Sequence, residues 1–109
     1  MNLDIGSLTS AMLGAVKTSL GADYPKTKDF AEAQLKTLAE GLADIGKQLA
    51  SGSISLDEAQ SLLRTHANTA QIVFLAVEGM GELAVENAIN AALSAVKTAV
   101  NAALGVALI

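Results

Sequence analysis

The stretch TKDFAEAQLKTLAEGLADIGKQLA, residues 27–50, decides the fold class of this chain. Its apolar residues recur at alternating spacings of four and three, and they are Ala31, Leu35, Leu38, Leu42, Ile45 and Leu49. This spacing puts them along one side of a helix and is typical of helices that pack at a shallow angle. Charges of alternating sign follow at intervals of four on the outer surface, at Lys28, Glu32, Lys36 and Glu40. Such pairs support a solvated helical face. The stretch therefore predicts one helix of a bundle.

A helix is also predicted ahead of this stretch, over about residues 3–20. One apolar stripe at helical spacing supports it, formed by Ile5, Leu8, Met12, Val16 and Leu20. The sequence GADYP, residues 21–25, then interrupts the helix. Gly21 is a natural helix cap, and Pro25 moves the preceding Tyr24 out of the helical region. A turn is expected here.

The third predicted helix covers residues 56–78. Ser55 and Glu58 form the S-x-x-E pattern of a capping box, which marks its start. The inner stripe is predicted to consist of Leu56, Ala59, Leu63, His66, Ala70, Val73 and Val77. The run IVFLAV, residues 72–77, is apolar on every side. A helix without a polar face is expected to be buried all round.

The fourth predicted helix covers residues 82–107. The preceding EGMGE, residues 78–82, forms either a tight turn or a kink in one long helix, and the two glycines favour the turn. The large residues share one side and are Val85, Ile89, Leu93, Val96, Val100, Leu104 and Leu108, with alanines over much of the rest. AINAAL at 88–93 returns as AVNAAL at 99–104. Because this shift is close to three helical turns, Asn90 and Asn101 share a face.

These segments predict an all-α fold: a four-helix, up-and-down, bundle-like domain spanning residues 1–109, completed by self-association. The composition agrees, since 51% of the residues are hydrophobic and only 3% are aromatic. Small apolar side chains let helix axes come close together. The single proline leaves nearly all other segments free to be helical.

The charge balance argues against nucleic acid as a partner. The chain has a net charge of −4, and its seven basic residues are dispersed along the sequence. They make no stripe that would neutralise phosphates. The chain contains no cysteine, which excludes disulfides and thiolate metal sites. Asp4 stands where a signal peptide carries basic residues, so a cytoplasmic location is the expectation.

Catalytic and metal-binding patterns are not apparent in the sequence. His66 is the one histidine and falls on an inner stripe, where a packing role is the expected interpretation. Glu78, Glu82 and Glu86 repeat at intervals of four, but the Glu-x-x-His pattern of bundle metal sites is missing. The glutamates near the start of the fourth helix suit the helix dipole. We expect no enzyme activity, no metal and no cofactor.

The second half of the chain has more apolar surface than one short bundle is expected to hide. The sequence therefore predicts a non-enzymatic assembly or interaction protein (a scaffold, structural subunit or adaptor) that acts through self-association of its third and fourth helices. A homodimer or higher homo-oligomer is expected, with another protein as a further partner. The predicted interface consists of Ile72, Phe74, Leu75, Val77, Met80, Ile89, Leu93, Val96, Val100 and Leu104.

A second hypothesis assigns the fourth helix to a membrane surface. The stretch 98–109 has no charged side chain, and the eleven-residue repeat gives it a regular face. Helices that lie on membranes usually carry Lys or Arg on the polar face and Trp or Phe on the other. Here Lys97 is the only cation and aromatic residues are missing, so self-association is the favoured hypothesis.

Overall fold

The computed structural model describes residues 3–77 and 79–109, apart from the side chain of residue 29. In these residues the chain forms four α-helices: α1 (Ile5–Leu20), α2 (Lys28–Ala50), α3 (Leu56–Leu75) and α4 (Glu82–Leu104). The molecule measures 42 × 22 × 18 Å. Because a 23-residue helix is about 35 Å long, α2 and α4 run along its longest dimension. The predicted all-α, four-helix, up-and-down bundle is confirmed.

Both ends of α1 have local causes. Asp4 caps the first turn by accepting hydrogen bonds from the Gly6 amide at 3.0 Å and from the Ser7 hydroxyl at 2.8 Å. These bonds, chiefly the one from the Ser7 side chain, hold the pKa of Asp4 below its ordinary value. At the other end Gly21, with φ +53°, donates its amide to the Lys17 carbonyl. The predicted break at GADYP is a 3-10 turn, Gly21–Lys26, with Pro25 inside it.

The start of α3 is the predicted capping box. The Glu58 amide donates to the Ser55 hydroxyl, and the Ser55 amide donates to the Glu58 carboxylate, both at 3.1 Å. The helix ends at Leu75, three residues before the predicted end at residue 78. The link from α3 to α4 is therefore a turn, in which Gly79 has φ +84°. Glu78 lies outside the described residues.

α4 also ends before its predicted limit. It stops at Leu104 rather than residue 107, because Gly105 takes the left-handed conformation at φ +72° and its amide caps the Asn101 carbonyl. The residues after Gly105 then turn back onto the bundle, where Leu108 is buried.

The buried side chains form two clusters. The larger includes Met12 of α1, Leu42 of α2, Leu63 of α3 and Val96 of α4, so all four helices contribute to it. The smaller one surrounds Phe74 and is formed by α2, α3 and α4. The Phe74 ring lies 5.6 Å from the Phe30 ring, centroid to centroid, at a tilt of 49°.

The predicted inner stripe of α3 is only partly correct. The buried residues of the helix are Ala59, Leu63, Ala67, Ala70 and Phe74, whereas the predicted Leu56, His66 and Val73 are half-buried, and Val77, also half-buried, follows the end of the helix. The prediction assumed a mean spacing of 3.5 residues per turn. A straight α-helix has 3.6, so the inward position drifts by about 20° in each heptad. After two heptads the inward residue is Phe74 rather than Val73.

Candidate self-association surface

Three large apolar side chains are exposed beside the turn that joins α3 to α4. Ile72 is 68% exposed, Leu75 is 39% exposed and Leu83 is 70% exposed. We name these three residues the turn patch. Other large apolar residues with this degree of exposure are Leu62 and Val106, at 37% each. The strongest exposure is therefore concentrated at the two helix ends that flank residues 76–81.

Helix geometry explains why Ile72 and Leu83 face outward. Each lies two residues before a buried one, Phe74 on α3 and Val85 on α4. Two residues correspond to about 200° of rotation around a helix. When Phe74 and Val85 point into the core, Ile72 and Leu83 must therefore point away from it.

The predicted interface residues divide into three groups. Ile72 and Leu75 are exposed. Val77, Met80, Leu93 and Leu104 are half-buried, and the last three pack against the core clusters. Phe74, Ile89, Val96 and Val100 are buried within the single chain, each at most 1% exposed. These four already stabilise the monomer's own core, so Ile72 and Leu75 are the predicted interface residues that remain exposed.

Leu83 was missed at the sequence level. It belongs to the sequence ELAVE at the start of α4, where it stands off the stripe of large residues that begins at Val85. A leucine outside the inward stripe of an amphipathic helix is itself a signal of an exposed apolar residue. The expectation that the run at 72–77 is buried all round is wrong for the single chain, since Ile72, Leu75 and Ala76 are exposed.

The turn between α3 and α4 is tied to the rest of the bundle. The Lys26 ammonium donates to the Gly79 carbonyl at 3.4 Å and to the Asp23 carboxylate at 3.1 Å. Lys26 thereby connects the 3-10 turn with the loop between α3 and α4. A side chain added at Gly79 would lie 3.1 Å from the Lys26 ammonium and would need φ +84°, so glycine suits this position.

His66 is half-buried at the contact between α2 and α3. Its ring lies against Gly41. A Cβ atom added to Gly41 by substitution would lie 3.0 Å from the imidazole Nδ1. This position agrees with a packing role. Among the described residues no three His, Asp or Glu side chains come together in a way that could hold a metal ion.

An open groove lies between α1 and the first half of α2. It has a volume of about 300 Å³ and is lined by Ile5, Gly6, Thr9, Ser10, Glu32 and Lys36. Thr9, which is buried, already donates its hydroxyl to the Ile5 carbonyl at 2.7 Å. The groove therefore offers mainly solvated side chains to a ligand.

No protein-family model matches the chain, and comparison with curated proteins and with solved structures gives no match. The class that the structure defines is an all-α helical bundle. Within the part of the chain that the structure describes, no helix combines the length and the hydropathy needed to cross a membrane.

Proposed function

We propose that this chain is a non-enzymatic assembly protein that self-associates through the turn patch. The observation that carries the proposal is the exposure of Ile72, Leu75 and Leu83 beside one turn. A group of exposed apolar side chains near one turn of a small domain is a candidate for a protein–protein contact. Such a contact removes these side chains from water, which favours association.

The turn patch is small compared with a complete interface. A stable contact buries about 800 Å² on each partner, with an apolar centre and a polar rim. Three side chains supply only the centre. The neighbouring exposed residues of α3 and α4, such as Asn68, Glu82 and Glu86, supply the rim. A two-fold dimer, in which the same patch meets itself, is the commonest arrangement of this kind.

Light scattering over a dilution series tests the proposal. We expect the wild-type chain to form a dimer or higher oligomer at micromolar concentration, and the double variant Ile72→Ser/Leu83→Ser to be monomeric with unchanged helicity. The matched control is Leu62→Ser, which removes a leucine exposed elsewhere on α3. A wild-type chain that is folded and monomeric throughout the series would refute the proposal.

The biological role within this class is part of the proposal. A scaffold, a structural subunit and an adaptor each need a stable bundle with one protein-binding surface. The partner is a second copy of the chain or another protein. The cytoplasmic location expected from the sequence belongs to the same proposal.

The membrane-surface hypothesis gains no support from α4. Apart from Leu83, the exposed residues of this helix are polar or small, and they include Asn90, Ser94, Ala95, Thr98 and Ala102. The large residues, among them Val96 and Val100, point into the core. A helix that enters a lipid interface presents large apolar side chains to it. We therefore do not carry this hypothesis forward.

A further inference from the structure

The segment that follows α4 is held against the bundle, and it bends where the Leu108 amide donates to the Val106 carbonyl at 3.1 Å. We name Val106–Ile109 the strap. It begins after Gly105, whose left-handed conformation reverses the chain. Leu108 at its centre is 3% exposed and belongs to the larger core cluster, and Ile109 packs against the same cluster.

Two polar side chains bind the backbone of the strap. The Asn101 carbonyl oxygen accepts from the Leu108 amide at 3.0 Å and from the Ile109 amide at 3.1 Å. The Asn101 amide nitrogen donates to the backbone oxygen of Ile109 at 3.3 Å. From α3, the Gln60 amide donates to the Ala107 carbonyl at 3.2 Å. We name the place formed by Gln60 and Asn101 the notch.

The contacts between notch and strap resemble those of a receptor with a short peptide. Four hydrogen bonds join the side chains of Gln60 and Asn101 to backbone atoms of the strap. One apolar side chain of the strap, Leu108, is buried in the core. Short peptides are commonly bound in this way, with bonds to the main chain for affinity and a pocket for one side chain. Asn90, on the same face of α4, is exposed, which shows that the role of Asn101 comes from the strap and not from the repeat.

We propose that the strap exchanges between copies, so that the strap of one chain occupies the notch of a second chain. Every copy carries both parts, and the contacts are the same whichever copy supplies the strap. Exchange of an identical element is a low-cost route to dimers. The hinge is Gly105, which can leave φ +72° for an extended conformation without a steric penalty.

Two physical limits define when exchange occurs. The chain's own strap competes at an effective concentration in about the millimolar range, because its linker is short. The closed form therefore predominates in dilute solution, and exchange grows as the concentration rises. Four extended residues reach about 13 Å. The two notches must consequently face each other at close range.

This contact is separate from the turn patch. Gln60 lies in the second turn of α3 and Leu75 is its last residue. Fifteen residues of helix separate them by about 22 Å. The inference therefore goes beyond the proposed function and does not depend on it.

The natural absence of cysteine allows a direct test. The single variants Gln60→Cys and Ala107→Cys are mixed at high concentration, incubated and treated with a short bismaleimide. A bridge between these two different chains requires the strap of one copy to lie at the notch of the other. The control mixture pairs Ala107→Cys with Thr65→Cys, an exposed position on α3 away from the notch.

We expect the first mixture to give several-fold more mixed dimer than the control. Adding Asn101→Leu to the Gln60→Cys partner alone should lower the yield to that of the control, because the strap of the Ala107→Cys chain would give up the three bonds of Asn101 by leaving its own notch. Asn90→Leu should leave the yield unchanged, and circular dichroism checks that each variant is folded.

Repeating the mixture with Ile72→Ser/Leu83→Ser in both partners separates this contact from the turn patch, and the bridge should persist. Equal yields in the two mixtures, or a yield that is insensitive to Asn101→Leu, would overturn the proposal.

Discussion

The pairing of α4 with α1 differs sharply from its pairing with α3. α1 and α4 are the most distant helices in sequence, yet they form the most extensive contact in the bundle. α3 and α4 follow one another across a short turn and meet much less extensively. The inward face of α4 carries Ala88 and Ala92, which share a cluster with Met12 and Val16 of α1. Small residues opposite large ones let two helices approach closely over a long contact.

This comparison shows that complementary faces, rather than nearness in sequence, determine which helices pack tightly. The less extensive contact between α3 and α4 has a consequence at the surface. The apolar side chains at the end of α3 and the start of α4 are not all covered, and Ile72 and Leu83 remain exposed. The pair with the larger contact stabilises the monomer, whereas the pair with the smaller contact supplies the surface proposed for self-association.

The largest expected effect contrasts two residues on the last turn of α3. Phe74→Ala should lower the free energy of unfolding by about 3–5 kcal/mol, because it empties a fully buried site next to Phe30. Ile72→Ala should change the stability of the monomer by less than about 0.5 kcal/mol, since Ile72 is mostly exposed. Urea denaturation in dilute solution measures both. Similar losses for the two variants would contradict the assignment of Ile72 to the surface.

The next effect tests the close packing of α1 and α4. Ala92→Leu adds a large side chain where the wild-type residue is fully buried, and overpacking should cost about 1–3 kcal/mol. Ala95→Leu, at an exposed position on the same helix, is the matched control and should be nearly neutral. Thermal unfolding followed by circular dichroism compares them. If Ala92→Leu were as stable as the control, α1 and α4 would not be in tight contact there.

A smaller effect is expected at the start of α3. Ser55→Ala removes the hydroxyl that accepts from the Glu58 amide, and it should cost about 1 kcal/mol. Ser61→Ala, inside the same helix, should instead be neutral or slightly stabilising, because alanine is the better helix former. Chemical denaturation of both variants measures the difference. A capping role is ruled out if both substitutions shift stability in the same direction.

The smallest effect concerns the contact between α2 and α3. Gly41→Ala gains helix propensity worth about 1 kcal/mol, but its methyl group would press on the His66 imidazole. We expect little net gain in the wild-type background and a clear gain in the His66→Ala background. A double-mutant cycle measures this coupling. Additive effects would show that His66 does not pack on Gly41.

Features fixed by a few neighbouring residues were predictable from the sequence. The helical pattern of α2 and the capping box at Ser55 and Glu58 both appear in the structure where the sequence placed them. Helix ends were less accurate, since α3 and α4 each stop three residues early. The end of α4 depends on whether Gly105 adopts positive φ, and a pattern of apolar residues does not specify this.

Features that depend on tertiary contacts were harder to predict. Phe74, Ile89, Val96 and Val100 were assigned to an interface because their apolar character is clear, but the number of helices that cover each of them is not encoded locally. The strap left no local signal at all. Gln60 and Ala107 are 47 residues apart, and a hydrogen bond over that separation follows only from the folded bundle.

The methyl NMR spectrum recorded over a dilution series tests most directly whether the turn patch mediates self-association. We expect the Ile72, Leu75 and Leu83 methyl signals to shift as the concentration rises, and the signals of buried Ile89 and Val96 to stay in place. The Ile72→Ser/Leu83→Ser variant keeps only the Leu75 methyl groups of the turn patch, and these signals should no longer shift with concentration. Signals at the turn patch that do not move between micromolar and millimolar concentration would contradict self-association through this surface.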